Sequence, residues 1–341
     1  MKNQRRDDYF DNAKFLLILL VVFGHLLQPF TKYSRWVYDL YLLIYSFHMP
    51  TFIFISGYFA DSFIRKDKPI RDSFYKLIVP YIIFQWGYSF YYWLIGINDS
   101  FSFGLLVPNW SLWFLVSSFF WRISLYFFSE VKPMTGICIS ILGSLLIGYV
   151  PFIGRELTLQ RTFVFLPFFI IGYHIKEDRI HLFRKSKWKR WFSAALPIIF
   201  LIIHCIPDIN GYIFFGSKPY EDFLDIAEFG AVIRLFSLTL GIVGIVGFLS
   251  IVPVEKQFFT RWGQNTLVVY LFHGFFVRGL RALQFSEYIS SSYSHIIVLF
   301  ALLIGSFILT IFLASEPIVK FYEEIINWCI KRPWKSIKMG Q

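Results

Sequence analysis

Charged residues are scarce in this sequence of 341 residues. Asp, Glu, Lys and Arg make up only 16% of it, whereas a soluble globular protein has about a quarter. Aromatic residues account for 22% of the chain, and 43 of its residues are Phe. The core of a soluble protein does not require so many apolar and aromatic side chains. We therefore expect an integral membrane protein, with room for many spans of about 20 residues but not for a large soluble domain.

Cysteine is also rare, and the common motifs of soluble enzymes are missing. The three cysteines, Cys138, Cys205 and Cys329, lie far apart, and no Cys-x-x-Cys pair occurs. This pattern favours neither a disulfide framework nor a zinc site. The sequence contains no phosphate-binding loop, no Gly-x-Ser-x-Gly, no His-Glu-x-x-His and no dinucleotide fingerprint. We expect no metal site and no permanently bound cofactor.

The apolar runs predict an all-α fold of about ten transmembrane helices. The first run, from Phe15 to Phe23, is interpreted as a retained helix because no small-x-small cleavage site follows it. Pro50 predicts a kink or a break in the second span. We expect a membrane domain over 1–315 and a basic cytoplasmic tail over 316–341. The predicted spans are 12–30, 37–60, 74–96, 110–128, 134–152, 161–176, 190–206, 229–250, 264–283 and 294–315.

The distribution of basic residues predicts the orientation of these spans. With both termini in the cytoplasm, most of the 33 Lys and Arg residues fall in inside segments or at the adjoining helix ends. The loop at 207–228, assigned outside, instead carries five acidic residues against Lys218 alone. The net charge of +11 therefore indicates membrane topology and contact with lipid, and no nucleic-acid partner is expected.

The first predicted helix contains the most informative pair of polar residues. Lys14 and His25 are eleven residues apart, which places them on one helix face about 16 Å apart along the axis. Asp11 lies on the same side, three residues before Lys14. Ionisable groups inside a span are costly and indicate a functional site. A buried imidazole near a cation stays neutral and can take a proton from a hydroxyl. Alternatively, Lys14 extends to the headgroups and His25 bonds a neighbouring helix.

A second histidine and a basic loop follow. His48 lies beside Pro50 and is a further catalytic candidate, unless it only satisfies a carbonyl at the proline. The loop after the second span could bind the phosphates of a nucleotide-like molecule, although the topology alone also explains its charge. Its candidate residues are Arg65, Lys68, Arg71 and Lys76.

Three other residues are candidates for binding a substrate. Trp113 belongs to Trp110-Ser111-Leu112-Trp113, a pattern that is also typical of an interfacial aromatic belt. Arg234 lies inside an apolar run. His273 lies in the ninth span, which begins with a polar Gly-Gln-Asn segment.

Taken in order, several segments resemble the integral-membrane acyltransferase-3 family, in particular its fucose 4-O-acetylase-like branch. The resemblance extends across nearly the whole chain. The segments are Asp11…Lys14-x10-His25, Phe47-His48-Met49-Pro50 with Ile55-Ser56-Gly57-Tyr58-Phe59, Leu77-Ile78-Val79-Pro80-Tyr81, Leu112-Trp113-Phe114-Leu115, Phe165-Leu166-Pro167 with Gly172-Tyr173, and Gly263-Gln264-Asn265-Thr266 with Tyr270-Leu271-Phe272-His273-Gly274.

This resemblance implies transfer of an acyl group, usually acetyl from cytoplasmic acetyl-CoA, to a sugar hydroxyl of an extracytoplasmic glycan. Lys14 and His25 take the place of the family's essential pair, and the basic loop becomes a candidate for binding the CoA phosphates. Many relatives carry a denser arginine cluster after the Ser-Gly motif, where this chain has Arg71 and Lys76. The resemblance also implies a cell-membrane location and polysaccharide-synthesis proteins as partners.

Two other functions are consistent with the residues. An exporter of a glycan or lipid-linked glycan would also have many spans, a broken helix and buried charges, but it would be expected to show an inverted repeat, which is not visible here. A structural partner of a polysaccharide synthase would not need Lys14 and His25 on one face.

Overall fold

The computed structural model describes residues 7–64, 68–153 and 156–337. Regular structure in these ranges is entirely helical, which confirms the predicted fold class. Each predicted span contains one main α-helix, and shorter helical turns lie beside several of them. These helices are α1 (Asp8–Leu27), α2 (Arg35–Tyr58), α3 (Val79–Leu94), α4 (Trp113–Phe128), α5 (Pro133–Leu146), α6 (Leu159–His174), α7 (Ala195–Cys205), α8 (Gly230–Ile251), α9 (Thr266–Ala282) and α10 (His295–Leu313), and the tail forms α11 (Glu316–Ile337).

Within the described ranges, five segments are long and apolar enough to cross a membrane. They contain α1, α2, α4, α8 and α10. The other helices that match predicted spans are shorter, and α7 has only 11 residues. The ten-span count and the cytoplasmic termini therefore stay predictions.

The helices α1 and α2 form the centre of the bundle. α2 packs against α1, α6 and α8, and α1 packs against α9 and α10. In the apolar stretch of α2, 67% of the residues are buried, compared with 28% in the apolar stretch of α10. α10 is thus a peripheral helix whose large apolar side chains face outward, as expected for contact with lipid.

Helices α2 and α6 cross with their backbones in contact. A Cβ added at Gly57 would lie 2.1 Å from the Phe169 carbonyl oxygen, and one added at Gly172 would lie 2.1 Å from that of Phe54. Glycine at both positions allows this approach, which is the usual way in which membrane helices gain packing contact.

The break predicted as one alternative at Pro50 does not occur, because α2 continues from Arg35 to Tyr58. The kink, the other alternative, stays a prediction. Proline removes one backbone N–H donor, here the partner of the Ser46 carbonyl four residues earlier. The Thr51 hydroxyl donates to the next carbonyl, that of Phe47, at 2.7 Å.

A buried ion cluster fixes the short helix α7 to the start of α2. The fully buried Asp39 carboxylate accepts from Arg35 Nε and contacts His204 Nδ1, each at 2.7 Å. Arg35 Nη2 also donates to the Ile206 carbonyl at 2.7 Å, which satisfies a backbone acceptor at the end of α7.

Two loops are held over one end of the bundle: the loop between α3 and α4, and the loop between α7 and α8. Gln85 Nε2 donates to the Gly104 and Val107 carbonyls, both at 2.9 Å. Tyr38 donates its hydroxyl to the Ile209 carbonyl at 2.8 Å. Both loops lie at the end of α1 that carries His25, and both belong to segments predicted to be outside.

Cysteine labelling would test the predicted orientation. In a variant without the native cysteines, we expect an impermeant maleimide to label Asp222→Cys on intact cells. Lys187→Cys should react only after permeabilisation, because its segment is basic and predicted to be cytoplasmic. Both positions are exposed. Labelling at 187 from outside intact cells would refute the ten-span topology.

Candidate functional site

A cavity of about 420 Å³ opens beneath the two loops. Its wall combines aromatic, imidazole and guanidinium groups, and it contains no acidic side chain from the described residues. The side chains that matter most below are His25, Tyr45, His48, Trp110, Trp113, Arg161, Tyr270, Arg278 and Arg281.

His25 lies on the wall of this cavity, in the last turn of α1. Its Nδ1 is 3.0 Å from the Tyr45 hydroxyl, and its ring centroid is 4.3 Å from that of Trp110. Nε2 makes no hydrogen bond with any residue in the described ranges. When Nδ1 carries the proton and donates it to Tyr45, Nε2 is a neutral base directed at whatever occupies the cavity.

Trp110 has an unusual backbone conformation beside His25. Its φ is +42°, in the left-handed region that non-glycine residues rarely adopt. The ring rests on Gly274, where an added Cβ would lie 2.4 Å from the Trp110 ring and 2.2 Å from the Tyr88 hydroxyl. Strained residues of this kind are concentrated at functional sites. The sequence pattern is typical of an interfacial aromatic belt and does not indicate that Trp110 lies beside His25 in a candidate site.

Two arginines of α9 bring positive charge close to His25. Arg281 Nη2 donates to the His25 carbonyl at 2.7 Å and to Gln28 Oε1 at 2.8 Å. Arg278 donates from Nε to the Tyr92 hydroxyl at 3.2 Å. Their guanidinium carbons lie 5.8 Å and 5.6 Å from the centroid of the Trp110 ring.

Lys14 faces a second, mostly apolar cavity of about 150 Å³. Its Nζ is paired with Asp11 at 2.6 Å, and the Lys14 side chain is 28% exposed. Val21, Met49 and Tyr270 line both cavities. Lys14 and His25 therefore lie on one helix, as predicted, but each belongs to its own cavity.

The other candidate residues divide between the cavity and its support. His48 and Trp113 line the cavity, and His48 Nδ1 lies 2.6 Å from the Ile44 carbonyl. His273 lies behind His25, with 5.4 Å between the ring centroids, and its buried Nε2 has no partner among the described residues.

Arg234 is not brought to this cavity. It is only 2% exposed, donates to the Ile213 carbonyl at 3.2 Å and lies 5.6 Å from the Tyr220 ring. These contacts hold the loop from which Phe214 and Phe215 reach the cavity. Arg234 therefore contacts this loop and does not line the His25 cavity, and its role in binding a substrate stays a prediction.

The basic loop lies at the Lys14 end of the bundle, beyond α2. Arg65 lies outside the described residues. Lys68 and Lys76 are exposed, Lys76 within the π-helical turn Phe74–Ile78, and the Arg71 side chain is 61% exposed. None of the three lines either cavity, so their role in binding phosphates stays a prediction.

Comparison with known proteins gives the family. Residues 7–315 match a family model described as acyltransferase domain. Over 128 residues the chain is 32% identical to the nodulation protein NolL of Sinorhizobium fredii. This alignment covers 33% of this chain and 35% of that protein. Over 81 residues it is 38% identical to NolL of Mesorhizobium japonicum, with 22% of each chain covered. These alignments thus span about a third or less of the curated relatives. No solved structure matches the chain.

The family model covers the described helical bundle almost from end to end, including both cavities and the five segments that are apolar enough to cross a membrane. Lys14, His25 and the residues around them all lie inside the matched range. This protein is a membrane protein that belongs to the acyltransferase-3 family.

Proposed function

We propose that the protein is a multi-pass O-acyltransferase of the cell membrane, related to the fucose 4-O-acetylase-like branch. It moves an acyl group, acetyl in the simplest case, from cytoplasmic acyl-CoA to a sugar hydroxyl of an extracytoplasmic polysaccharide. The observation that carries this proposal is the His25 imidazole, which lies on a polar cavity, with Nδ1 hydrogen-bonded to Tyr45 and Nε2 without a hydrogen bond to any described residue.

In this reaction His25 acts as the general base. Nε2 takes the proton of the sugar hydroxyl as the oxygen attacks the thioester carbonyl. A carbon–oxygen bond forms, the carbon–sulfur bond breaks, and the proton passes from the imidazolium to the departing thiolate. Tyr45 fixes the imidazole orientation that keeps Nε2 directed into the cavity. The His48 ring supports that arrangement from the same wall, with 4.7 Å between its centroid and that of the Tyr45 ring.

The proposed route of the donor follows the residues that the two cavities share. In the proposed orientation, acyl-CoA approaches from the Lys14 side, and its thioester passes Val21, Met49 and Tyr270 to reach His25. The glycan enters from the opposite side, beneath the two loops. The pair formed by Lys14 and Asp11 keeps a charged group at the entrance of the apolar cavity, where the polar part of the donor would arrive.

The family assignment supports transfer over export. An exporter or a partner of a polysaccharide synthase would not require a neutral base beside an acceptor cavity.

The proposal is tested by incubating membranes that contain the protein with acetyl-CoA labelled in the acetyl group. We expect label on the surface glycan, and none in membranes with His25→Ala. Replacing Lys68, Arg71 and Lys76 together by Gln should raise the KM for acetyl-CoA more than it lowers kcat, because phosphates do not react. Lys132→Gln, which removes an exposed cation at the start of α5, is the matched control. Absence of any labelled glycan with wild-type protein would refute the proposed transfer.

A further inference from the structure

The His25 cavity has a cationic wall. Arg161, Arg278 and Arg281 all line it, whereas no Asp or Glu of the described ranges does. We infer that the acceptor carries an anionic group, a carboxylate or a phosphate, and that Arg278 and Arg281 hold this group beside His25. This inference rests on the proposed function and deepens it by naming the chemical class of the acceptor.

The two arginines are arranged to act together. They lie three residues apart on α9, so their side chains leave the same helix face. Both guanidinium carbons are within 6 Å of the Trp110 ring centroid, at 5.6 Å and 5.8 Å. The same ring lies 4.3 Å from the His25 imidazole. An anion bound between the guanidinium groups is therefore next to the proposed base.

Most of their hydrogen-bonding capacity is unused. A guanidinium has five N–H donors. Arg278 makes a single hydrogen bond within the described ranges, from Nε to Tyr92, which leaves both of its terminal nitrogens available. Arg281 uses only Nη2, and its buried Nε has no partner among the described residues. Neither arginine forms an ion pair with a described Asp or Glu.

Such an arrangement is costly unless a ligand completes it. A partly buried cation without a counter-ion loses hydration that nothing replaces. Contact with the Trp110 face offsets part of this cost, but it leaves the planar N–H forks unused. Carboxylate and phosphate oxygens match those forks in a bidentate manner. A neutral sugar would leave them unpaired.

Arg161 adds positive charge from another wall of the cavity. Its guanidinium carbon lies 4.7 Å from the Trp113 ring centroid, and its Nε donates to the Phe215 carbonyl at 3.2 Å. The loop residue Phe215 thus connects this third cation to the cover of the cavity. An anionic glycan entering beneath the loop meets positive charge on two sides before it reaches His25.

The test measures binding without the donor, so that it does not depend on catalysis. Purified full-length protein in lipid nanodiscs is titrated with a galacturonate oligosaccharide, with the neutral galactose oligosaccharide of the same linkage, and with that galactose oligosaccharide carrying one phosphate. We expect at least one anionic ligand to bind roughly tenfold or more tightly than the neutral one, as is typical for charge-assisted hydrogen bonds. The tighter of the two distinguishes a carboxylate from a phosphate acceptor.

Variants assign the preference to the arginines. Arg278→Gln and Arg281→Gln should each weaken anionic binding and leave neutral binding nearly unchanged, while Lys32→Gln, an exposed outer cation paired with Glu287 at 3.3 Å, should keep the preference. Arg278→Gln removes no bond to a backbone carbonyl, so it remains informative if Arg281→Gln fails to fold. Equal binding of charged and neutral ligands, or no measurable binding of the charged ones, would overturn the inference.

The kinetic result separates this inference from the proposed function. Label transferred equally well to neutral and anionic glycans would overturn the inference and leave the transfer intact. Arginine-dependent anion binding without any transfer would refute the transfer instead. If the arginines discriminate only between succinyl-CoA and acetyl-CoA, the anion belongs to the acyl group, and the assignment to the acceptor is wrong.

Discussion

His25→Ala should lower acyl transfer by about 10²- to 10⁴-fold, the usual loss when a general base is removed. Abundance of the protein in the membrane should stay near the wild-type level, because a polar contact inside a membrane contributes on average only about 0.6 kcal/mol. Transfer of labelled acetyl to the glycan, divided by the amount of protein on an immunoblot, measures both quantities. A structural histidine would instead give modest losses of both.

Matched variants separate the base from its surroundings. His295→Ala removes an exposed histidine at the start of α10 and should leave transfer unchanged. Tyr45→Phe keeps the ring but removes the partner of Nδ1, so we expect a several-fold decrease in kcat with little change in KM. Wild-type glycan acylation in His25→Ala would show that the assignment of the base is wrong.

Gly57→Ala should largely prevent the bundle from assembling. The new methyl group would lie 2.1 Å from the Phe169 carbonyl oxygen, and a backbone atom cannot rotate away as a side chain can. Helices α2 and α6 would have to separate, and α2 carries Tyr45 and His48. Overpacking typically costs about 1–3 kcal/mol, and more where the backbone must move. Size-exclusion chromatography of the detergent-solubilised protein, together with its thermal unfolding temperature, measures the effect.

A second glycine provides the control. Gly305 lies in α10, and an added Cβ would meet nothing within 4 Å. Gly305→Ala should leave yield and unfolding temperature unchanged, or raise the temperature slightly because alanine favours the helix. A wild-type unfolding temperature in Gly57→Ala would show that the crossing adapts without loss.

Hydropathy was sufficient to predict where the helices lie. The pattern placed Lys14 and His25 on one helix, and α1 continues through both. It treated 190–206 as one continuous span, whereas a short helix ends at Phe192 and the helix α7 begins only at Ala195. Proline chemistry predicted a kink or a break at Pro50, and the helix is not broken there.

The site itself depends on contacts between residues far apart in the sequence. Tyr45 reaches His25 across 20 residues, and Arg281 reaches the His25 carbonyl across 256. A single sequence gives no information about which helix faces meet. Nothing in the sequence therefore indicated that Tyr45 contacts His25. Arg278 and Arg281 could be recognised only as two charges at the outer end of a helix. Trp110 combines an unusual φ with close packing on Gly274, which a pattern typical of interfacial tryptophans does not reveal.

Val21, Met49 and Tyr270, which line both cavities and separate them, have a consequence for the energetics of the cell. A continuous column of water across the bilayer would conduct protons and discharge the membrane potential. Apolar barriers exclude water chains, and Tyr270 is held in place by donating its hydroxyl to the Ser111 carbonyl. An acyl group can pass such a barrier where a hydrated ion cannot. The enzyme would then modify molecules on the far side of the membrane at the cost of a thioester, without dissipating the ion gradients on which the cell depends.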